Sequence, residues 1–136
     1  MSSLPWDFVV LGVPVSVQAK STSRTRWKAA VSAAARAAWP AGGEPLRGRL
    51  QIHVTCYHDS APPLDVDNML KPIQDALIGI VYVDDGQLVD CHGHLRDVNA
   101  QYGVRGMTPA QAHGFVSDGP FVHVRIEPAP ELGRLP

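Results

Sequence analysis

Apolar and polar residues alternate through Leu50–His58, "LQIHVTCYH", with Leu50, Ile52, Val54 and Cys56 on one side and Gln51, His53, Thr55 and Tyr57 on the other. That period of two predicts a half-buried strand. "FVVLGVPVSV" (Phe8–Val17) is β-rich and predicts a first strand interrupted at Pro14. Ser21–Trp39 carries Ser and Thr at its start, then a run of alanines, and predicts a helix ending before Pro40. Leu70, Ile73, Leu77 and Ile80 recur at helical spacing, which predicts a second helix from about Met69 to Gly79, capped by Asp67 or Asn68, with Pro72 near its start. "IVYVD" (Ile80–Asp84) reads as a short strand, "DDGQ" as a tight turn and "LVDCHGHLRDV" as a further strand. Residues 99–119 read as a long loop with room for a turn of helix, Phe121–Pro128 as the last strand, and 129–136 as a disordered tail. The order β-α-β-α-β-β-β predicts one α+β (mixed α/β) domain over residues 1–128, a mixed sheet of about four to five strands with two helices packed on one face.

Composition adds three points. At 136 residues, 45 % hydrophobic and 18 % charged, the chain has the make-up of a single globular domain. No apolar run approaches the roughly 18 residues of a membrane span, and "MSSLPWDFVV" lacks a basic region followed by an apolar one, so neither a span nor a secretory signal is expected. Cys56 and Cys91 lack metal or redox spacing and are expected as free thiols of a cytoplasmic protein.

The net charge of −1 is unlike that of a nucleic-acid binder, but it conceals an asymmetry. Residues 1–50 carry seven basic and two acidic side chains; residues 51–136 carry five and eleven. A basic face, with Lys20, Arg24, Arg26 and Lys28 at its densest part, beside an acidic centre suits an enzyme that grips phosphates and holds cations. A solvated helix face followed by an acidic half is the plainer alternative.

The acidic centre lies in "LDVDNMLKPIQDALIGIVYVDDGQLVD" (Leu64–Asp90). In an extended segment Asp65 and Asp67 project from the same side. The second helix carries the chain ~16 Å away at ~1.5 Å per residue, and a strand returning over Ile80–Asp84 at ~3.3 Å per residue covers a similar distance. Strand alternation then selects Asp85 over Asp84 for the site. Three such carboxylates offer hard oxygen ligands to Mg²⁺ or Mn²⁺, ions able to activate water for phosphodiester hydrolysis. Lys71 follows Asp67 by four residues and projects from the same helical face, where it can orient water, neutralise phosphate charge, or simply pair with Asp75. Taken singly, Asp65 and Asp67 also read as helix caps, and Asp84-Asp85-Gly86 as a solvent-facing turn. An EF-hand loop fails, since Met69 and Leu70 stand where a ligand and the turn glycine are needed. Cys91, His92 and His94 lack a fourth zinc ligand at useful spacing. Trp27 and Tyr57 are either core or base-stacking residues.

The pattern "DVDNMLK…VDDGQ" resembles the RusA family of Holliday-junction resolvases, matching at seven positions over Asp65–Gln87, with weaker similarity from "GVPVS" to the last strand. The resemblance implies a homodimeric, Mg²⁺-dependent endonuclease that cuts four-way DNA junctions by paired symmetrical nicks in recombination and repair. It implies Asp65, Asp67 and Asp85 as the catalytic metal-binding aspartates and Lys71 as the catalytic lysine. Where family members often carry arginines before the first Asp, this chain has "HDSAPP", and the basic Lys20–Lys28 segment is the expected substitute. A non-catalytic binder of branched DNA with a vestigial metal site is the alternative function.

Overall fold

The computed structural model describes residues 4–59, 64–99 and 106–130. Its elements are β1 (Trp6–Leu11), α1 (Ser21–Ala38), β2 (Leu50–His58), α2 (Val66–Ala76), a 3₁₀ turn (Asp85–Gln87), β3 (Leu88–Asp97), α3 (Pro109–Val116) and β4 (Phe121–Pro128). The four strands form one mixed sheet in the order β1-β4-β2-β3. β2 and β3 run parallel, joined across α2, and β4 is inserted antiparallel to both β1 and β2. The protein is therefore of the α+β class.

Alternation sorts the sheet into two faces. Phe8 and Val10 of β1, Ile52, Val54 and Cys56 of β2, and Val122, Val124 and Ile126 of β4 form one buried face. Against it pack Trp27, Val31 and Ala35 of α1 and Met69, Ile73 and Ala76 of α2. Ser32 Oγ donates to the Ala76 carbonyl at 2.9 Å, holding the two helices together.

The expectation that helices cover one face is corrected here. There are three helices, and α3 lies on the opposite face. Its Phe115 ring meets Tyr57 at 5.0 Å and Phe121 at 5.1 Å. The hydroxyl of Thr108, which caps α3, donates to Asp7, and the Asp7 carboxylate is also 2.7 Å from Nε2 of the buried His123. Burial pushes His123 below the usual histidine range, against the pull of Asp7. The segment read as a long loop thus contains a capped helix over 109–116; its residues 100–105 and the tail from residue 131 lie outside the described residues.

Two further expectations change. β1 ends at Leu11, and residues 12–20 run as irregular backbone into α1. The strand expected over 80–84 is a series of turns. Gly79 N–H donates to Tyr82 O at 2.7 Å and Val81 N–H to Leu77 O at 3.0 Å, with Gly79 at φ +84°. Ile80, Val81 and Tyr82 are all buried, a run that strand alternation on a half-exposed sheet does not allow. The segment bridges only at Tyr82, to Leu46 and Ile78.

Candidate active site

The site helix begins earlier than its periodicity indicated. α2 spans Val66–Ala76, with Asp65 at the N-cap and Asp67 in the first turn, so Asp65 and Asp67 do not share an extended segment. Pro72 therefore sits in the second turn, where its missing N–H leaves the Asn68 carbonyl without its helical donor. Val17 N–H supplies that donor from outside, at 3.0 Å to Asn68 O. The backbone leading into α1 is thereby fixed against the start of α2.

Asp65 makes no side-chain capping bond, and it and Asp67 are exposed, with no ion pair among the described residues. Asp67, Lys71 and Asp75 follow one another at intervals of four and line one face of α2. Lys71 Nζ lies 2.9 Å from Asp75 Oδ1 and 2.7 Å from Asp85 Oδ2. The hydrogen bond to Asp85, then that to Asp75, raises the Lys71 pKa well above its ordinary value, so the group is an ammonium at any physiological pH.

Asp85 is brought to Lys71 by the 3₁₀ turn rather than by a strand. Asp84 is consumed as its cap, accepting from Gly86 N–H at 2.9 Å. Gln87 closes a capping box: its Oε1 accepts from Val83 N–H at 2.9 Å and Asp84 N–H at 3.0 Å. Its Nε2 donates to the carbonyls of Leu46 at 2.9 Å and Gly48 at 2.8 Å, which pins the turn to the segment before β2. Tyr82, buried one turn away, donates its hydroxyl to the Gln74 carbonyl of α2 at 2.6 Å. The anchoring role of Gln87 was written in the sequence as the Asp84-x-x-Gln87 spacing of a capping box, which the motif comparison alone did not reveal.

Among the described residues no three His, Cys, Asp or Glu side chains stand close enough together to hold a metal ion. The structure brings Asp85 to Lys71 and Asp75, and leaves Asp65 and Asp67 as unengaged carboxylates at the start of the same helix. In kind, carboxylate oxygens suit a hard divalent cation, but the expected convergence of Asp65, Asp67 and Asp85 on one point is not seen among the described residues. The zinc alternative fails on alternation. Cys91 faces α2, where it meets Gln74, while His92 projects to the other face and stacks on His53 at 4.3 Å. Trp27 is 6 % and Tyr57 8 % exposed, so both are core aromatics and neither is presented for base stacking. Of the four basic residues, Arg24 and Lys28 are half-buried on α1, while Lys20 and Arg26 are exposed.

Where α2 passes over β3 the fit is tight. A Cβ on Gly93 would lie 2.6 Å from Val66 Cγ2, and Val66 sits between Asp65 and Asp67. Gly93→Ala is expected to cost about 1–2 kcal/mol through overpacking. Because the displaced residue is the one between the two aspartates, DNA cleavage at a temperature where the variant is folded is expected to fall several-fold. A melting curve and a cleavage assay on the same sample check both.

In this α+β fold, Lys71 is held between Asp75 of α2 and Asp85 of the turn before β3, on the helical face that also bears Asp67. Residues 16–127 match the family model described as Endodeoxyribonuclease RusA, and the chain belongs to that family. A search of the curated proteins finds no match.

Proposed function

We propose that the protein is a Mg²⁺- or Mn²⁺-dependent endonuclease that resolves four-way DNA junctions by paired symmetrical cuts during recombination and repair. In this reading one domain over residues 1–128 acts in the cytoplasm as a homodimer, each subunit cutting one of two symmetry-related strands. The observation that carries it is Lys71, held between Asp75 and Asp85 on the helical face that also bears Asp67.

Asp65, Asp67 and Asp85 would hold the ion, which supplies a Lewis acid for the phosphate and an activated water. The chain's own contribution is electrostatic. Lys71 places a positive charge where the phosphorane gains negative charge. Water adds to phosphorus, the bond from phosphorus to the leaving ester oxygen breaks, and the proton lost by water ends on that oxygen or in solvent. Gln87 and Tyr82 hold the turn and the helix so that Asp85 and Lys71 keep their positions through this change.

The test uses a synthetic four-way junction with Mg²⁺ or Mn²⁺. Wild type is expected to give symmetrical nicks. Asp67→Asn is expected to cut at least about a hundredfold more slowly and to bind Mn²⁺ more weakly by calorimetry. A second reading, a junction binder that does not cut, draws on the low net positive charge; a gel shift without nicking under every metal condition would replace the first reading with it.

A further inference from the structure

We infer that the cavity between α1 and α2 seats one backbone phosphate of the DNA strand that enters the acidic corner, an inference that rests on the nuclease reading above. The cavity, of about 180 Å³, is lined by Ser21, Arg24, Thr25 and Lys28 of α1 and by Pro72 and Asp75 of α2. Arg24 and Lys28 are four residues apart and so stand on one face of α1. Neither has an ion-pair partner among the described residues. The Arg24 guanidinium makes one long bond, 3.4 Å from Nη1 to the Val17 carbonyl, and its buried Nε has no acceptor among the described residues. Two cations and two hydroxyls, with no acidic side chain in the first turn of α1, are the donors an anionic phosphate needs.

Asp75 is common to this cavity and to the catalytic corner. Its charge is offset in part by Lys71 at 2.9 Å, an ammonium it shares with Asp85, and is outweighed in the cavity by Arg24 and Lys28. The seat and the reacting centre therefore share a wall, which places the bound phosphate on the strand being cut, near the scissile bond. Pro72 and Val17 also line the cavity, and the Val17–Asn68 backbone bond fixes the approach to α1. Arg26 is exposed on another side of α1, lining a separate apolar groove with Leu11 and Val13, and has no part in the seat.

The test is a salt titration of junction binding by the full chain with EDTA present, so that no cutting intervenes. Arg24→Ala and Lys28→Ala are each expected to weaken binding about tenfold and to flatten the slope of log K against log salt by about one; the double variant flattens it by about two. Arg36→Ala removes the same charge from the far end of the helix and is expected to do neither. Wild-type-like slopes in the first two variants, or an equal loss in Arg36→Ala, overturn the seat in favour of a diffuse field. If wild type binds no junction, the nuclease reading falls, and ³¹P line broadening of inorganic phosphate decides the cavity alone. Broadening by wild type that vanishes in the double variant sustains it. Broadening retained in the double variant, or absent with wild type, ends it. Melting curves confirm that each variant is folded.

Discussion

Lys71→Ala is expected to slow junction cleavage by about 10²–10³-fold, about 3–4 kcal/mol of lost transition-state stabilisation, the scale seen when one preorganised charge donor is removed. Stability is expected to change by less than about 1 kcal/mol. Lys71 is 53 % exposed, and a pair so open to solvent is screened and contributes little to folding. The metal-free variant is expected to bind junction several-fold more weakly, since Asp75, which lines the phosphate seat, loses its ammonium partner, while Mn²⁺ affinity holds or rises, since Asp85 loses the ammonium that competes for its carboxylate at 2.7 Å. Lys71→Arg restores only part of the rate, because a planar fork does not replace a compact ammonium between two carboxylates. Single-turnover cleavage, Mn²⁺ calorimetry and a melting curve separate these effects. Cleavage by Lys71→Ala within tenfold of wild type would remove the lysine from the reaction.

Gly114→Ala is expected to do the reverse, lowering stability and sparing the chemistry. In the middle of α3 an alanine normally gains up to about 1 kcal/mol over glycine. Here its Cβ would lie 2.4 Å from both Cδ2 and Cε2 of Phe121. Phe121 is fully buried, stacked on Tyr57 at 4.6 Å and edge-on to Phe115 at 5.1 Å, so its ring has nowhere to go. Overpacking of this kind costs about 3 kcal/mol, which outweighs the helical gain and leaves a net loss of about 2 kcal/mol, or on the order of 8 °C in Tm for a chain of this size. Because α3 covers the face of the sheet opposite α2, cleavage per folded molecule is expected to stay near wild type. A Tm equal to or above wild type would show that α3 shifts freely over the sheet.

Much of the fold was legible where pattern and burial agree. β2 and β4 stand at the boundaries their sequences indicated, and α1 differs from its expected end by one residue. The start of α2 was misjudged because a proline in a second helical turn is normally unfavourable, and its compensation comes from Val17, some fifty residues earlier in the chain. The Ile80–Val83 run has strand-forming residues, but it is a turn in which Ile80, Val81 and Tyr82 are all buried and Val83 is exposed, a pattern that strand alternation does not give. The helix α3 was missed although Thr108-Pro109-Ala110-Gln111 carries a capping box with proline at its first position. At the site, strand alternation was the wrong ground for preferring Asp85 to Asp84. What separates them is local: the Asp84 carboxylate is used by the Gly86 amide, and Asp85 is left to meet Lys71. Lys71 pairs with Asp75, as its spacing allowed, and with Asp85 as well, a contact that spacing along the helix did not indicate.

The proline in α2 makes the two charge-rich parts of the chain mutually dependent. A helix with a complete ladder would present a sealed surface at Asn68, and the segment leading to α1 would have no backbone group to grasp. The vacant rung lets that segment lock on, so the positively charged half and the carboxylate-bearing half are tied at this point: whatever loosens the lock at Val17 loosens the approach to Arg24 and Lys28 and the start of the helix bearing Asp67 and Lys71 together.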